Sequence, residues 1–276
     1  MSFNMNATWQ RATALVSANF QLLAVIAGVF LFLPGAAIYL AIPDLAMLMD
    51  PTGDPQKVAA QMQGMLGSLM GWGLLALVAQ FVGYLAMVAM MGDDRPTVGE
   101  AIGRGFKSLP TMVACLILFI LAYMVVALVL MVPVTVLGAS TGSSGVGVLG
   151  VLLILAAIGF LMTRLSVTMP VIMLEGQLNP VTALLRSWRL TGPFKWRIFG
   201  FWVLLFLVYL VIAMLMYGIF GMMGALAASS TGSLMVLGIF NGIVGALVAM
   251  LVSGIVVAMY QQLAGENPAT LSETFE

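Results

Sequence analysis

Charge is the scarcest commodity in this chain. Only 7% of its 276 residues are charged, against 62% hydrophobic. Soluble domains carry about 25% charged residues, so a water-soluble globular core is excluded. Histidine is absent and Lys plus Arg equals Asp plus Glu at 10 each, so no global field recruits nucleic acid or acidic partners. A single cysteine, Cys115, rules out an intramolecular disulfide and reads as a small buried hydrophobe. Without histidine, the 23 methionines lack the co-ligands of a copper or zinc site, and adaptable packing explains them. No metal or other cofactor is expected. General acid–base chemistry needs placed carboxylates or histidine. The membrane-adjacent candidates are Asp44, Glu100 and Glu175, and no nucleophile–base pair follows from spacing. The chain is therefore expected to be non-enzymatic. "GRGF" at Gly103–Phe106 follows no strand and is no phosphate loop.

What the chain has instead is length without charge. Between Lys107 and Arg164 lie 56 uncharged residues, and between Arg197 and Glu266 lie 68. A hydrocarbon layer of ~30 Å needs about 20 helical residues, so each stretch holds two spans. Backbone groups in lipid must pair internally, which makes helices the economical reading. Six spans fit, at about 20–42, 68–91, 112–137, 148–170, 198–227 and 234–262, in one all-α polytopic membrane domain over 1–276. The first apolar run is too long for a signal peptide and is expected to be retained. Pro34, Pro133 and Pro170 mark kinks or helix ends.

The links alternate. "GASTGSSGVG" at 138–147 and "ASSTGS" at 228–233 are short and uncharged, as turns require, and the link at 43–67 carries Asp44, Asp50, Asp54 and Lys57. Arg95, Arg104 and Lys107 fall in a second group of links, with Arg186, Arg189, Lys195 and Arg197. Counting Arg11, eight basic residues lie on one side and Lys57 alone on the other, with Arg164 inside a span. The positive-inside rule puts both termini and the basic links in the cytoplasm, and 43–67 outside. "GDDRP" (Gly92–Pro96), "GQLNP" (Gly176–Pro180) and "GENP" (Gly265–Pro268) follow the even-numbered spans and suggest three related hairpins. Convergent helix punctuation explains them equally. After the first two come helix-length basic stretches with Arg104-x-x-Lys107 and Arg186-x-x-Arg189; "TWQRATALVSANF" near the start is a third.

In "PVTALLRSWRLT" (180–191), Val181, Leu184, Leu185 and Trp188 share a helical face, and Arg186 and Arg189 lie on another. The expectation is a surface helix on the cytoplasmic leaflet, Trp188 and Trp196 at headgroup level and the arginines on anionic phosphates. Each basic residue near that surface is worth about 1 kcal/mol. The alternative is topogenic charge that orients the chain and does nothing more. Arg164 in "GFLMTRLSVTMP" has the same duality: an intramembrane charge is often functional, but a residue near a span end can snorkel to the interface. Glu175 lies on nearly its face, too distant along the helix for direct pairing. In "GIFNGIVGALVAM", Gly238-x-x-x-Gly242 and Gly245-x-x-x-Ala249 are small-residue pairs that let helices approach, and Asn241 either bonds across helices or meets a polar ligand.

"PVIMLEGQLNPVTALLRSWRLTGPFKWRIFGFWVLL" resembles the P-x-x-x-x-E-G … A-L-x-x-S-W-x-L … W-R stretch of YciC-like proteins. These are similar in turn to the membrane domain attached to some bacterial glycerophosphoryl diester phosphodiesterases. The matching positions are Pro170, Glu175, Gly176, Ala183, Leu184, Ser187, Trp188, Leu190, Trp196 and Arg197. The resemblance implies a bacterial inner-membrane protein. A soluble phosphodiesterase domain is not expected here, so that activity is not carried over. The expected roles are handling, sensing or transporting a lipid or other amphiphile, with anionic cytoplasmic-leaflet lipids as partners. The alternative is a structural or accessory subunit, homo- or hetero-oligomeric, assembled through its Gly-rich faces. The residues expected to contact lipid or partner are Arg164, Glu175, Arg186, Trp188, Arg189, Trp196 and Arg197. Those expected to pack helices are Gly238, Asn241, Gly242 and Gly245.

Overall fold

A computed structural model describes residues 3–41, 55–94, 96–141, 144–225 and 230–265. The link residues 42–54 with Asp44, Asp50 and Asp54, Arg95, and the Pro of "GENP" lie outside the described residues. Among the described residues every regular element is helical. The order is α1 (Met5–Ala18), α2 (Phe20–Ala27), a π turn (Gly28–Phe32), α3 (Leu33–Ala41), α4 (Pro55–Met90) and α5 (Val98–Thr141). There follow α6 (Ser144–Arg164), α7 (Thr168–Leu174), α8 (Pro180–Thr191), α9 (Lys195–Ala225) and α10 (Ser230–Ala264). Six segments are long and apolar enough to cross a membrane: Phe20–Ala37, Leu66–Met90, Val98–Ser140, Gly145–Leu174, Lys195–Met216 and Gly238–Ala264. The chain is an all-α, polytopic membrane protein.

Local chemistry explains the boundaries. Asn4 caps α1, its Oδ1 accepting from the N–H groups of Asn6 and Ala7. Before α5, Thr97 and Glu100 form a reciprocal capping box: Thr97 N–H donates to Glu100 Oε2 at 2.8 Å and Glu100 N–H to Thr97 Oγ1 at 3.4 Å. The basic stretch with Arg104 and Lys107 then continues straight into the third span, with Pro110 and Pro133 inside one helix. A separate amphipathic helix does not form there. Each proline removes one backbone hydrogen bond, and the remaining ones carry the helix through. At 44 residues α5 is about 66 Å long, more than twice the hydrocarbon thickness, so it extends well beyond any one crossing.

Contacts divide the chain into two compact units. One comprises Gln10–Leu109 and Leu207–Ile255. Here Leu23, Ile26, Val82, Leu85, Met87 and Val88 are fully buried. Its helices meet at glycines. A Cβ on Gly83 of α4 would fall 2.7 Å from Phe30 Cβ and 2.8 Å from Leu31 Cδ1, so the π turn beds directly on α4. That turn lies just before Pro34, where the missing N–H calls for a change of helical register. On α10, a Cβ on Gly242 would lie 2.7 Å from Phe32 Cδ2 and 3.0 Å from Phe32 O. Gly238 is buried and Asn241 half-buried on the same helix. Gly245, expected to pack, faces open space: the protein-facing stripe continues through Ala246, Ala249 and Ser253. A further close approach was not anticipated: a Cβ on Gly254 would lie 2.7 Å from Val16 Cγ2 and 3.0 Å from Ala12 O.

The other unit comprises Met1–Trp9, Pro110–Phe206 and Val256–Glu276. Val167, Val171, Ile172, Ala183, Ile198 and Met259 form its buried centre. The expected span 148–170 is interrupted: α6 ends at Arg164, and Pro170 sits in the first turn of α7, where a missing N–H costs no helical bond. Thr8 Oγ1 donates to Gln262 Oε1 at 2.8 Å, and Thr111 Oγ1 to Leu178 O at 2.8 Å. Phe3 meets Phe201 edge-on at 6.2 Å.

Candidate functional site: the α6–α8 corner

The polar chemistry of the second unit collects where α6 ends. Gly176, at φ +66°, provides the left-handed residue that turns the chain after α7. Asn179 then starts α8: its Oδ1 accepts from Val181 N–H at 3.0 Å and Thr182 N–H at 3.3 Å, and Pro180 fills the first helical position. A cap of this kind is worth ~1 kcal/mol. The helix stops at Thr191, where Gly192 N–H bonds Arg189 O at 3.2 Å, and α9 begins at Lys195. The segment 180–191 is thus a separate helix from the fifth span, as its spacing predicts.

Its large apolar side chains face outward, as a helix lying on a leaflet requires. Ala183, Ser187 and Thr191 are fully buried, at 0% exposure, while Val181, Leu185 and Trp188 are 52%, 50% and 38% exposed. Successive residues advance by about 100°, so the apolar arc lies about 110° around the helix from the buried stripe. Small hydroxyl residues face the protein and large apolar ones face outward.

The hydroxyls have a definite target. Ser187 Oγ and Thr191 Oγ1 each lie 3.0 Å from the carbonyl oxygen of Arg164, the last residue of α6. Helix-end carbonyls have no intrahelical partner, and these side chains satisfy one of them. Arg164 itself is 6% exposed. Its Cζ stands 4.1 Å from the centroid of Trp188, a cation–π contact. Nη1 donates to Thr191 Oγ1 at 3.3 Å, while Nε is buried without an acceptor among the described residues. Arg164 is therefore tucked under Trp188 and does not snorkel outward. Its positive charge at a helix C-terminus is favourable in sign.

Glu175 is engaged elsewhere. Its Oε1 accepts from Arg186 Nε at 3.1 Å and from Tyr260 Oη at 3.0 Å, tying the end of α7 to α8 and to α10. Arg186, expected on lipid phosphate, is thereby held by a carboxylate, and Arg164 and Glu175 form no pair. Arg189, Lys195, Trp196 and Arg197 are exposed. An aromatic chain runs beside them: Phe160 is 6.5 Å from Trp188 and 5.8 Å from Trp196, which is 6.4 Å from Phe199. Sequence reasoning missed Thr191, Ser187, Phe160 and Tyr260 as participants. The Ala183-x-x-x-Ser187-x-x-x-Thr191 spacing was a usable signal for the first two; nothing in the sequence links Tyr260 to Glu175.

No family model matches the chain, and neither a curated protein nor a solved structure matches it.

Proposed function

We propose that this is a non-enzymatic bacterial inner-membrane protein that handles or senses a lipid or other amphiphile at its α6–α8 corner, with both termini cytoplasmic. The observation that carries the reading is the outward-facing apolar arc of α8. A helix that buries alanine and hydroxyls and exposes Val181, Leu185 and Trp188 is at home where its outer surroundings are apolar. Arg189 and the basic start of α9 then stand beside that apolar face, in keeping with a cytoplasmic leaflet rich in anionic lipid. The YciC-like resemblance supports the same compartment and adds no chemistry.

Spin-label depth scanning of 180–191 in anionic nanodiscs tests the reading. Labels at 181, 185 and 188 should collide with lipid-soluble quencher, that at 189 with the aqueous one, and those at 183, 187 and 191 should be immobilised. Uniform aqueous exposure would sink it. Single-cysteine labelling after replacing Cys115 tests orientation, and outer-face labelling at 104 or 186 would overturn the topology.

A second reading, a structural or accessory subunit, draws on the spans Val98–Ser140, Gly145–Leu174 and Lys195–Met216, which are only 6%, 11% and 11% enclosed by the chain itself. In that reading a partner subunit covers those faces. Native mass spectrometry separates the two: stoichiometric lipid supports the first, a stable heteromer without lipid the second.

A further inference from the structure

We propose that the end of α6 recognises one phosphate oxyanion, with Arg164 making the contact through the terminal Nη groups of its guanidinium, which no carboxylate meets among the described residues. This rests on the lipid-contact reading and names its headgroup chemistry. Arg164 differs from the other buried polar groups in carrying a full charge. Trp202 Nε1 and Ser253 Oγ are also buried without a partner, but both are neutral.

Three observations point to an anion. First, the residue is only 6% exposed, yet its one hydrogen-bond acceptor among the described residues is a neutral hydroxyl, Thr191 Oγ1. A guanidinium has five N–H donors in a planar fork suited to phosphate and carboxylate oxygens. Second, no carboxylate among the described residues meets it. The ion pairs among the described residues are Arg104–Asp94 and Arg186–Glu175, and Glu175 also holds Tyr260. Third, the neighbouring charge has the same sign: Arg189, Lys195 and Arg197 are exposed around the turn that follows α8.

The geometry fixes the direction of approach. Trp188 packs 4.1 Å from the guanidinium carbon and Nε is enclosed, which leaves the terminal Nη1 and Nη2 end, where Nη1 spends one donor on Thr191, to meet a ligand. Nη1 lies so close to the turn that a Cβ on Gly192 would be 3.3 Å from it. Three residues beyond Gly192 the 31-residue α9 begins, and the first N–H groups of a helix favour an anion. Phosphate is the class committed to because it is the anion a bilayer presents to a basic, tryptophan-bearing corner. A phospholipid headgroup and a free phosphate share that chemistry.

The test uses the full chain in phosphate-free maltoside detergent, titrated separately with dihexanoyl phosphatidylglycerol and with inorganic phosphate at constant ionic strength. Thermal unfolding midpoint is read, and bound phospholipid is counted by native mass spectrometry. The wild type should be stabilised saturably, and Arg164→Lys should weaken apparent affinity at least tenfold, because an ammonium lacks the fork. Arg104→Gln should leave it unchanged. Stabilisation by the lipid alone identifies a headgroup; stabilisation by both identifies phosphate from either source. An absence of saturable stabilisation in the wild type overturns the proposal, as does equal affinity in Arg164→Lys. Should Arg164→Lys fail to fold, Gly192→Ala crowds the guanidinium while keeping its charge and should weaken binding several-fold; unchanged affinity there overturns the proposal too. Val181→Ser with Leu185→Ser separates the two ideas, since it alters bilayer contact and leaves Arg164-dependent phosphate binding intact.

Discussion

Replacing Thr191 by valine removes one oxygen and keeps the side-chain shape. That oxygen is fully buried and lies 3.3 Å from Arg164 Nη1, 3.0 Å from Arg164 O and 2.9 Å from Ser187 O. A hydrogen bond to a charged group is worth about 1.5–3 kcal/mol. The hydroxyl's own donation counts for less, because Ser187 still reaches Arg164 O and side-chain hydrogen bonds within membranes average ~0.6 kcal/mol. Thr191→Val should therefore cost about 2 kcal/mol. Thr191→Ser keeps the oxygen and loses one methyl group, for ~0.8 kcal/mol. Reversible unfolding in mixed micelles reads both numbers. Repeating Thr191→Val in an Arg164→Met background isolates the charged contact, and its cost should there fall by at least about 1 kcal/mol. If Thr191→Val is no worse than Thr191→Ser, or costs the same beside Met as beside Arg, the hydroxyl does not hold the guanidinium.

Other outcomes follow from the same geometry. Gly242→Val places carbon 2.7 Å from the Phe32 side chain and 3.0 Å from its backbone oxygen, so it should destabilise by about 1–3 kcal/mol in the same unfolding measurement. Gly245→Ala, with nothing within 4 Å, should stay within about 0.5 kcal/mol of wild type. Tyr260→Phe should cost about 0.5–1.5 kcal/mol, and less in an Arg186→Gln, Glu175→Gln background, where the anionic acceptor is gone. Arg104→Gln should be close to silent, since its pair with Asp94 is exposed on both sides, and a measurable loss would point to a partner beyond that carboxylate.

The span count and the existence of a discrete helix at 180–191 were legible because hydropathy and helix punctuation are local signals. Asn179, Pro180 and the Gly176 turn act where they stand in the chain. The outward apolar arc of α8 follows from its expected place on a leaflet, but which of its other faces docks on the protein was not legible. Periodicity identifies the apolar arc, and only the position of the Arg164 carbonyl decides that Ala183, Ser187 and Thr191 turn inward. The same limit explains Gly245: a four-residue spacing marks a stripe of small residues without saying where the neighbouring helix crosses. The unbroken helical run of α5 through Pro133 shows a third limit, because punctuation that would end a short helix is overridden in a long one. Glu175 was identified as membrane-adjacent, yet its partner Tyr260 is 85 residues away and no pattern relates them.

The clasp on Arg164 also imposes an order in time. Its two hydroxyls lie 23 and 27 residues downstream, so the corner needs no residue of the last two spans in order to close. Short loops close at small entropic cost, and the stripe that docks is too poor in carbon to be held by apolar burial alone. The Tyr260 contact must wait for the end of α10. During synthesis Glu175 therefore meets Arg186 first and Tyr260 last. The hydroxyl of Tyr260 thus reports that the final span has reached its place, a completion signal that a truncated chain would lack.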